Sequence, residues 1–267
     1  MLLLLPPSES KRDGGSGRLD LDALGFPSLK PQRRTAIAAL GRLSRSVSAS
    51  AAALGLGPAQ RFEIERNRAL RSSPALPALD RYSGVLYDAL DARTLTADER
   101  SFAAEHVAIH SALFGLLGAS DAIPAYRLSH DSRLLGLRLR QLWREPITSA
   151  LDGRAGLILD LRSEAYAALG PVPRRDGAAT VRVVSRGPDG RKRALNHFNK
   201  RGKGELARAL IRSGRDHASL ASLLDWAADR GIELDAAGEG VVELVVAGQL
   251  GTRMSEDQGE ASWITRM

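Results

Sequence analysis

Four consecutive leucines, Leu2 to Leu5, are stopped by Pro6 and Pro7. A short, wholly apolar run ended by prolines reads as a buried strand, because no position in it is left to face water. The interior around it must be built mainly from Leu, Ala, Val and Ile, since aromatics are 4% of the 267 residues while hydrophobic residues are 43%. That apolar content supports a sizeable core and argues against wholesale disorder. The length suits one large domain or two small ones.

Ser8 to Arg18 is a polar, glycine-rich loop. Arg33 to Leu54 is predicted to be helical, with Ile37, Leu40, Val47 and Leu54 on one broad face. A sharp turn, Leu54-Gly55-Leu56-Gly57-Pro58, leads into a polar helix ending near Leu70. Thr96 and Glu99 form a capping box, and Phe102, His106, Ile109, Leu113 and Leu116 continue at helical spacing, which predicts one helix from Thr96 to Gly118. A second helix is expected from Ser132 to Glu145, stopped or kinked by Pro146. Gly156 to Leu161, Thr180 to Ser185, Arg193 to Phe198 and Val241 to Val246 read as strands. Gly187-Pro188-Asp189-Gly190 has the turn chemistry to make a basic β-hairpin of the middle pair. Helices are expected from about Lys203 to Arg212 and from Ala218 to Arg230. Strands and helices mix without regular alternation, so the expected class is α+β: a single mixed domain of short strands and several helices over residues 1–247, with a flexible tail over 248–267.

The net charge is +7, with 38 basic residues against 31 acidic, which points to an anionic partner. From Arg174 to Asp216 the side chains sum to +9, so the rest of the chain sums to −2. There is no cysteine, which excludes disulfides, thiol catalysis, thiolate zinc sites and cysteine-ligated iron–sulfur clusters. The apolar start lacks a preceding basic residue and is too short for a signal peptide. No stretch approaches the roughly 20 apolar residues of a membrane span. A cytoplasmic protein with no membrane contact, no cofactor and no obligate protein partner is the expectation.

Several stretches carry possible chemistry. Ser8-Glu9-Ser10-Lys11 matches the S-x-x-K of serine acyl-enzymes, but their S-D-N and K-T-G do not occur. The alternatives are a strand-end loop that holds an anion with its amides and Lys11, and an ordinary polar loop. His106 and His110 stand four apart on the expected helix and are weak candidates for a metal, without an evident third ligand. Gly55 and Gly57 suit either the hairpin of a helix-hairpin-helix motif, where glycines let amides approach a phosphate, or a plain helix–helix turn. The stretch from Asn196 to Gly204 brings three cations and two glycines before a helix start, where phosphate is favoured, and Phe198 or His197 could stack on a base.

Taken in order, Leu4-Leu5-Pro6-Pro7-Ser8-Glu9-Ser10-Lys11, Arg81-Tyr82-Ser83-Gly84-Val85-Leu86-Tyr87-Asp88-Ala89-Leu90, Ser111 to Leu117, Asp121 to Leu128, Trp143, Leu161-Arg162-Ser163-Glu164-Ala165-Tyr166 and Asn199-Lys200-Arg201-Gly202 resemble the bacterial peroxide-stress YaaA family, from residue 1 to about 235. The chain departs from the family pattern at Ala112, Phe114, Gly118-Ala119-Ser120 and Ser129-His130-Asp131. The resemblance implies a bacterial cytosolic protein that protects against hydrogen peroxide. It also implies a link to limiting damage by unincorporated iron, and DNA binding through a positively charged cleft and a helix-hairpin-helix element.

Three functional readings follow, the third being iron binding by His106, His110 and nearby carboxylates. In the first the protein binds DNA, duplex or distorted, through phosphates: Arg191, Lys192, Arg193, Lys200, Arg201, Lys203 and Arg208 make the contacts, and Gly55 and Gly57 let a hairpin approach. In the second it is an enzyme acting on a nucleotide or nucleic-acid base. Its pocket gathers Ser8, Lys11, Tyr82, Tyr126, Arg127, Glu164 and Lys200, with Glu164 as general acid or base and Tyr82 as stacking or donor group. The second reading requires these residues to converge on one concave pocket.

Overall fold

The structure, a computed structural model, describes residues 1–186, 192–194 and 199–246. The expected tail over 248–267 and the hairpin turn at 187–191 lie outside the described residues, as do Arg191, His197 and Phe198.

The leucine run is strand β1 (Leu2–Leu5), and it has neighbours on both sides. It pairs in parallel with β3 (Val107–Ser111) on one flank and β6 (Ile158–Asp160) on the other. Beyond β6 lie β7 (Ala178–Arg186) and β10 (Val241–Val246), also parallel. Antiparallel strands close the margins: β4 (Gly115–Gly118) beside β3, β9 (Leu234–Ala236) beside β10, and β8 (Lys192–Ala194) against the end of β7. The order is β4-β3-β1-β6-β7-β10-β9, with β8 on β7. A separate ribbon joins β2 (Leu76–Pro77) to β5 (Ala122–Ile123). The fold is thus mixed, as expected, but its central strands are parallel and joined by crossovers.

Helices α1 (Lys30–Leu43), α2 (Val47–Leu54), α3 (Phe62–Arg68), α4 (Ala78–Arg81), α5 (Val85–Leu90) and α6 (Ala97–His106) all fall between β1 and β3. The later helices are α7 (Leu139–Asp152), α8 (Glu164–Ala167), α9 (Asn199–Ser213) and α10 (Leu220–Ala228). One apolar core takes in side chains from Met1 to Leu244. Among the described residues no helix is long and apolar enough to cross a membrane.

The expected single helix from Thr96 to Gly118 is corrected. Its capping box forms, Glu99 accepting from the Thr96 amide at 2.8 Å, but α6 ends at His106. From Val107 to Leu117 every residue is buried, and Gly115 takes a left-handed φ of 69° that no helix interior accommodates. β1 needs a partner for its backbone groups on this flank, since unpaired amides and carbonyls inside the core are costly; Val107, Ala108 and Ile109 supply it. The predicted Arg33 to Leu54 helix divides into α1 and α2 at Ser46, whose Oγ caps α2 by accepting from the Ala49 amide. The helix expected from Ser132 begins only at Leu139 and continues through Pro146, because Leu139, Trp143, Ile147 and Leu151 make one buried stripe across it. Burial of four such side chains outweighs the roughly 3 kcal/mol a mid-helix proline costs.

The helix expected from Lys203 starts at Asn199, so Gly202 and Gly204 lie inside α9 and serve packing. A Cβ on Gly202 would stand 2.9 Å from Val246 Cγ1, and one on Gly204 would stand 2.2 Å from the Leu86 carbonyl oxygen of α5. Backbone cannot yield as a side-chain end can. Gly204→Ala is therefore expected to lower stability by about 1–3 kcal/mol, the range for overpacked sites, more than Gly41→Ala, where the added methyl meets open space; paired thermal melts check the ranking.

Candidate functional site

β1 and β6 are neighbours pointing the same way, yet the chain leaves them in opposite directions, β1 toward β3 and β6 toward β7. Where outgoing connections diverge, a crevice opens outside the carboxyl ends of the strands. The register deepens it. β6 stops at Asp160, opposite Thr180, while β8 takes up the same edge of β7 only from Val184. A cavity of about 620 Å³ lies here. The loop after β1 lines it with Pro6 to Ser10, and the segment after β6 with Leu161, Ser163 and Tyr166. The start of α5, the pair Ser129 and His130, and the first turn of α9 complete the walls.

The β1 side is set by a buried hydroxyl chain. Ser111 Oγ accepts from the amides of Leu113 and Phe114 and bonds Tyr126 Oη at 2.7 Å, which bonds Tyr82 Oη at 2.8 Å. Burial raises the pKa of Tyr126 to about 12 and also raises that of Tyr82, so both stay protonated near neutrality. Lys11 Nζ sits 4.2 Å from the Tyr126 ring centroid and donates to the carbonyls of Ser8 and Glu9 at 3.0 and 3.1 Å. These bonds curl residues 8–11 over the tyrosines. Burial draws the Lys11 pKa down to about 7, so its charge changes near neutral pH. Arg127 pairs with Glu9 at 2.5 Å, and Tyr87 Oη donates to the Pro6 carbonyl at 2.7 Å.

The β6 side rests on a buried ion pair. Arg162 meets Asp160 with two nitrogens, Nε to Oδ1 at 2.8 Å and Nη2 to Oδ2 at 2.7 Å. Its Nη1 donates to the Gly170 carbonyl and to His110 Nδ1 at 2.8 Å. Burial first, and the Arg162 charge second, hold the His110 pKa well below the usual imidazole value. Lys203, only 6% exposed, donates from Nζ to the Arg162 carbonyl at 3.2 Å. One turn earlier on α9, Lys200 is exposed and lines the same cavity. Two lysines at different depths thus share the lining with Tyr87, His130 and Tyr166.

The pocket residues expected from sequence therefore largely converge. Ser8 and Lys200 line the cavity, and Lys11, Tyr82, Tyr126 and Arg127 back the wall that Ser8 and Glu9 form. Glu164 is exposed on α8 and acts on the site through its field on Lys203. The other cations are otherwise engaged. Lys192 pairs with Asp235 and Glu243 at 2.9 Å each, Arg201 with Glu205 at 2.8 Å, and Arg208 donates to the carbonyls of Leu90 and Asp91. The Arg193 side chain lies outside the described residues.

One expectation is corrected, and at Gly55 and Gly57 the hydrogen bonds fit the plain-turn alternative. His106 and His110 do not share a helix face, because α6 ends between them. His106 bonds the Met1 carbonyl and stacks on Phe102, while His110 is buried on β3. Gly55 caps α2 with a φ of 63°, and the Gly55 and Leu56 amides both donate to the Ala51 carbonyl. The Gly57 amide donates to Gln60 Oε1, so the turn spends its amides on itself and leaves none of these for a phosphate. Asp160, Tyr166 and His130 were not singled out as site residues. The available signal for Asp160 and Arg162 is an acid and a base two apart at the end of an apolar strand, one as its last residue and one just beyond it.

The His110 arrangement has a pH consequence. The folded state holds the imidazole neutral while the unfolded chain titrates near pH 6.5, so the unfolded state binds more protons below that pH and stability falls as pH drops. His217, also held low by burial, adds to the effect. His110→Gln, which retains an acceptor for Arg162, is expected to flatten the loss of Tm between about pH 7.5 and 5; an unchanged Tm profile would contradict it.

A family model described as peroxide stress protein YaaA matches residues 1–233. A protein of Corynebacterium efficiens named UPF0246 protein is 45% identical over 254 residues, covering 92% of this chain and 100% of that one. A UPF0246 protein of Corynebacterium glutamicum is 44% identical over 241 residues, 88% of this chain and 95% of its own. One of Streptomyces coelicolor is 39% identical over 245 residues, 88% and 92%. With a family model spanning most of its length and relatives aligned nearly end to end, the chain belongs to the peroxide stress protein YaaA family.

Proposed function

We propose that this protein binds nucleic acid at the cavity between β1 and β6, takes one nucleotide unit into it, and serves in peroxide stress by acting on that target. The observation that carries the reading is the meeting of Lys200 and Lys203 with three aromatic side chains in one cavity of about 620 Å³. That volume is within the usual range for small-ligand sites, roughly 300–1,000 Å³. Cations suit the phosphate, and aromatic faces suit a base. Iron enters indirectly: radicals formed from peroxide and ferrous iron attack nucleic acid, so a protein that covers or inspects nucleic acid limits the harm they do.

A second reading places an enzyme for a nucleotide or nucleic-acid base in the same cavity. It is favoured by the packing of Lys11 against Tyr82 and Tyr126 behind Ser8, which puts an amine that titrates near pH 7 beside the site. Mass spectrometry of oligonucleotides and nucleotides after incubation with the protein separates the two readings, since only the enzyme changes a mass.

For binding, fluorescence anisotropy of labelled duplex, bubble and single-stranded DNA across salt is the direct measurement. Lys200→Gln and Lys203→Met are each expected to weaken binding about tenfold and to reduce the salt slope by about 0.9, one phosphate contact each. Wild-type affinity in both variants would remove the cavity from the interface. Absence of binding by the wild type at low salt would remove nucleic acid as partner.

A further inference from the structure

The segment leaving the cavity ends in an unusual tip. His130 lines the cavity, and five residues later Leu135 stands 75% exposed, more than any other large apolar side chain among the described residues. It occupies a tight turn: the Leu137 amide donates to the Leu134 carbonyl at 3.2 Å, and Gly136 supplies the positive φ of 71° that the turn requires. Both bases of the turn are fixed. Leu134 and Leu139 are buried, and the Arg133 amide donates to the Ala53 carbonyl of α2 at 3.0 Å. The leucine is held out by a built support.

Four arginines flank it in the sequence. Arg133, Arg138, Arg140 and Arg144 are all exposed, and none makes an ion pair among the described residues. Arg138, Arg140 and Arg144 line a shallow depression of about 380 Å³ with Gln141 and Glu145. One leucine is not the contiguous apolar patch of several hundred Å² that marks many protein-binding surfaces. A single apolar wedge among unpaired guanidinium forks matches a bent or opened duplex, whose phosphates take the forks and whose base step admits the wedge.

We infer that the turn at residues 134–137, with Arg138, Arg140 and Arg144, is a duplex-contacting surface on which Leu135 enters a base step. The inference rests on the proposed nucleic-acid partner and adds the means of reaching the cavity. Five residues of chain span at most about 17 Å, so a nucleotide unstacked at Leu135 lies within a few base-pair steps of His130.

The test uses the full chain and a duplex carrying 2-aminopurine, whose fluorescence rises on unstacking, with anisotropy across salt on the same samples. Wild type is expected to raise the fluorescence severalfold. Leu135→Ala is expected to abolish that rise while keeping affinity within about threefold and the salt slope unchanged, because the wedge carries no charge. The triple variant R138Q/R140Q/R144Q is expected to lower the salt slope by about 2.7, the value for three lost phosphate contacts. A fluorescence rise undiminished in Leu135→Ala, no rise with wild type that nevertheless binds, or an unchanged slope in the triple variant overturns the surface and leaves nucleic-acid binding standing. Failure of wild type to bind duplex while it binds single-stranded DNA overturns the surface alone, and failure to bind any DNA form overturns both.

Discussion

The desolvated pair of Asp160 and Arg162 is the interaction on which the site depends. Bringing a carboxylate and a guanidinium out of water costs several kcal/mol per ion, and such a pair usually returns little net stability over an apolar replacement. Its value here is positional. A bidentate contact fixes Arg162 at the end of β6, and its Nη1 engages His110 of β3 and the Gly170 carbonyl. One side chain thereby ties together the flank of β3, the end of β6 and the return toward β7. The carbonyl of the same residue then accepts Lys203, which brings α9 to the cavity wall. A hydrophobic residue at 162 would keep the carbonyl that Lys203 meets but would lose the bidentate hold on Asp160 that fixes its position.

Local chemistry made some of this legible in the sequence. Leu2 to Leu5 could only be buried, and the apolar runs that became β7 and β10 gave their positions within a residue or two. The capping box at Thr96 and Glu99 forms as expected. What failed was continuity beyond it. Apolar residues from Phe102 to Leu116 satisfy a helical period, and nothing nearby opposes it. The deciding demand comes from β1, about a hundred residues earlier, whose backbone needs a partner. That non-local requirement also divides His106 from His110. The convergence of Ser8, Lys11, Tyr82, Tyr126, Arg127 and Lys200 was readable only as a set of polar positions in apolar surroundings; their meeting is a product of strand order.

Charge shows the same difference between line and space. The segment from Arg174 to Asp216 holds a formal +9, yet Arg186, Lys192, Arg208 and Arg212 face Glu233, Asp235, Glu243, Asp91 and Glu99, none of which belongs to that segment. Folding brings neutralising carboxylates to it from both ends of the chain. Exposed cations without an ion pair among the described residues remain inside it at Arg174, Arg182 and Arg215, and occur also at Arg133, Arg138, Arg140 and Arg144 beside the turn at residues 134–137. A count along the chain measures the field the whole protein projects at long range, while the surface that holds an anion is set by which cations the fold leaves uncompensated.

The glycines of α9 bear on how its lysines would meet the phosphate proposed for the cavity. An ammonium on a four-carbon stem is mobile, and ordering it on binding costs affinity. Gly202 and Gly204 bring the α9 backbone against β10 and α5 at distances no side chain would allow, so the first turn of the helix has little freedom to shift. Lys203 lies between them and is further held by the Arg162 carbonyl, while Lys200 on the same turn remains exposed. The arrangement joins one ordered cation, whose entropy is spent in folding, to one adaptable cation at the mouth. Such a pair favours an anion that enters partway and stays accessible from outside, as a phosphate within a strand would.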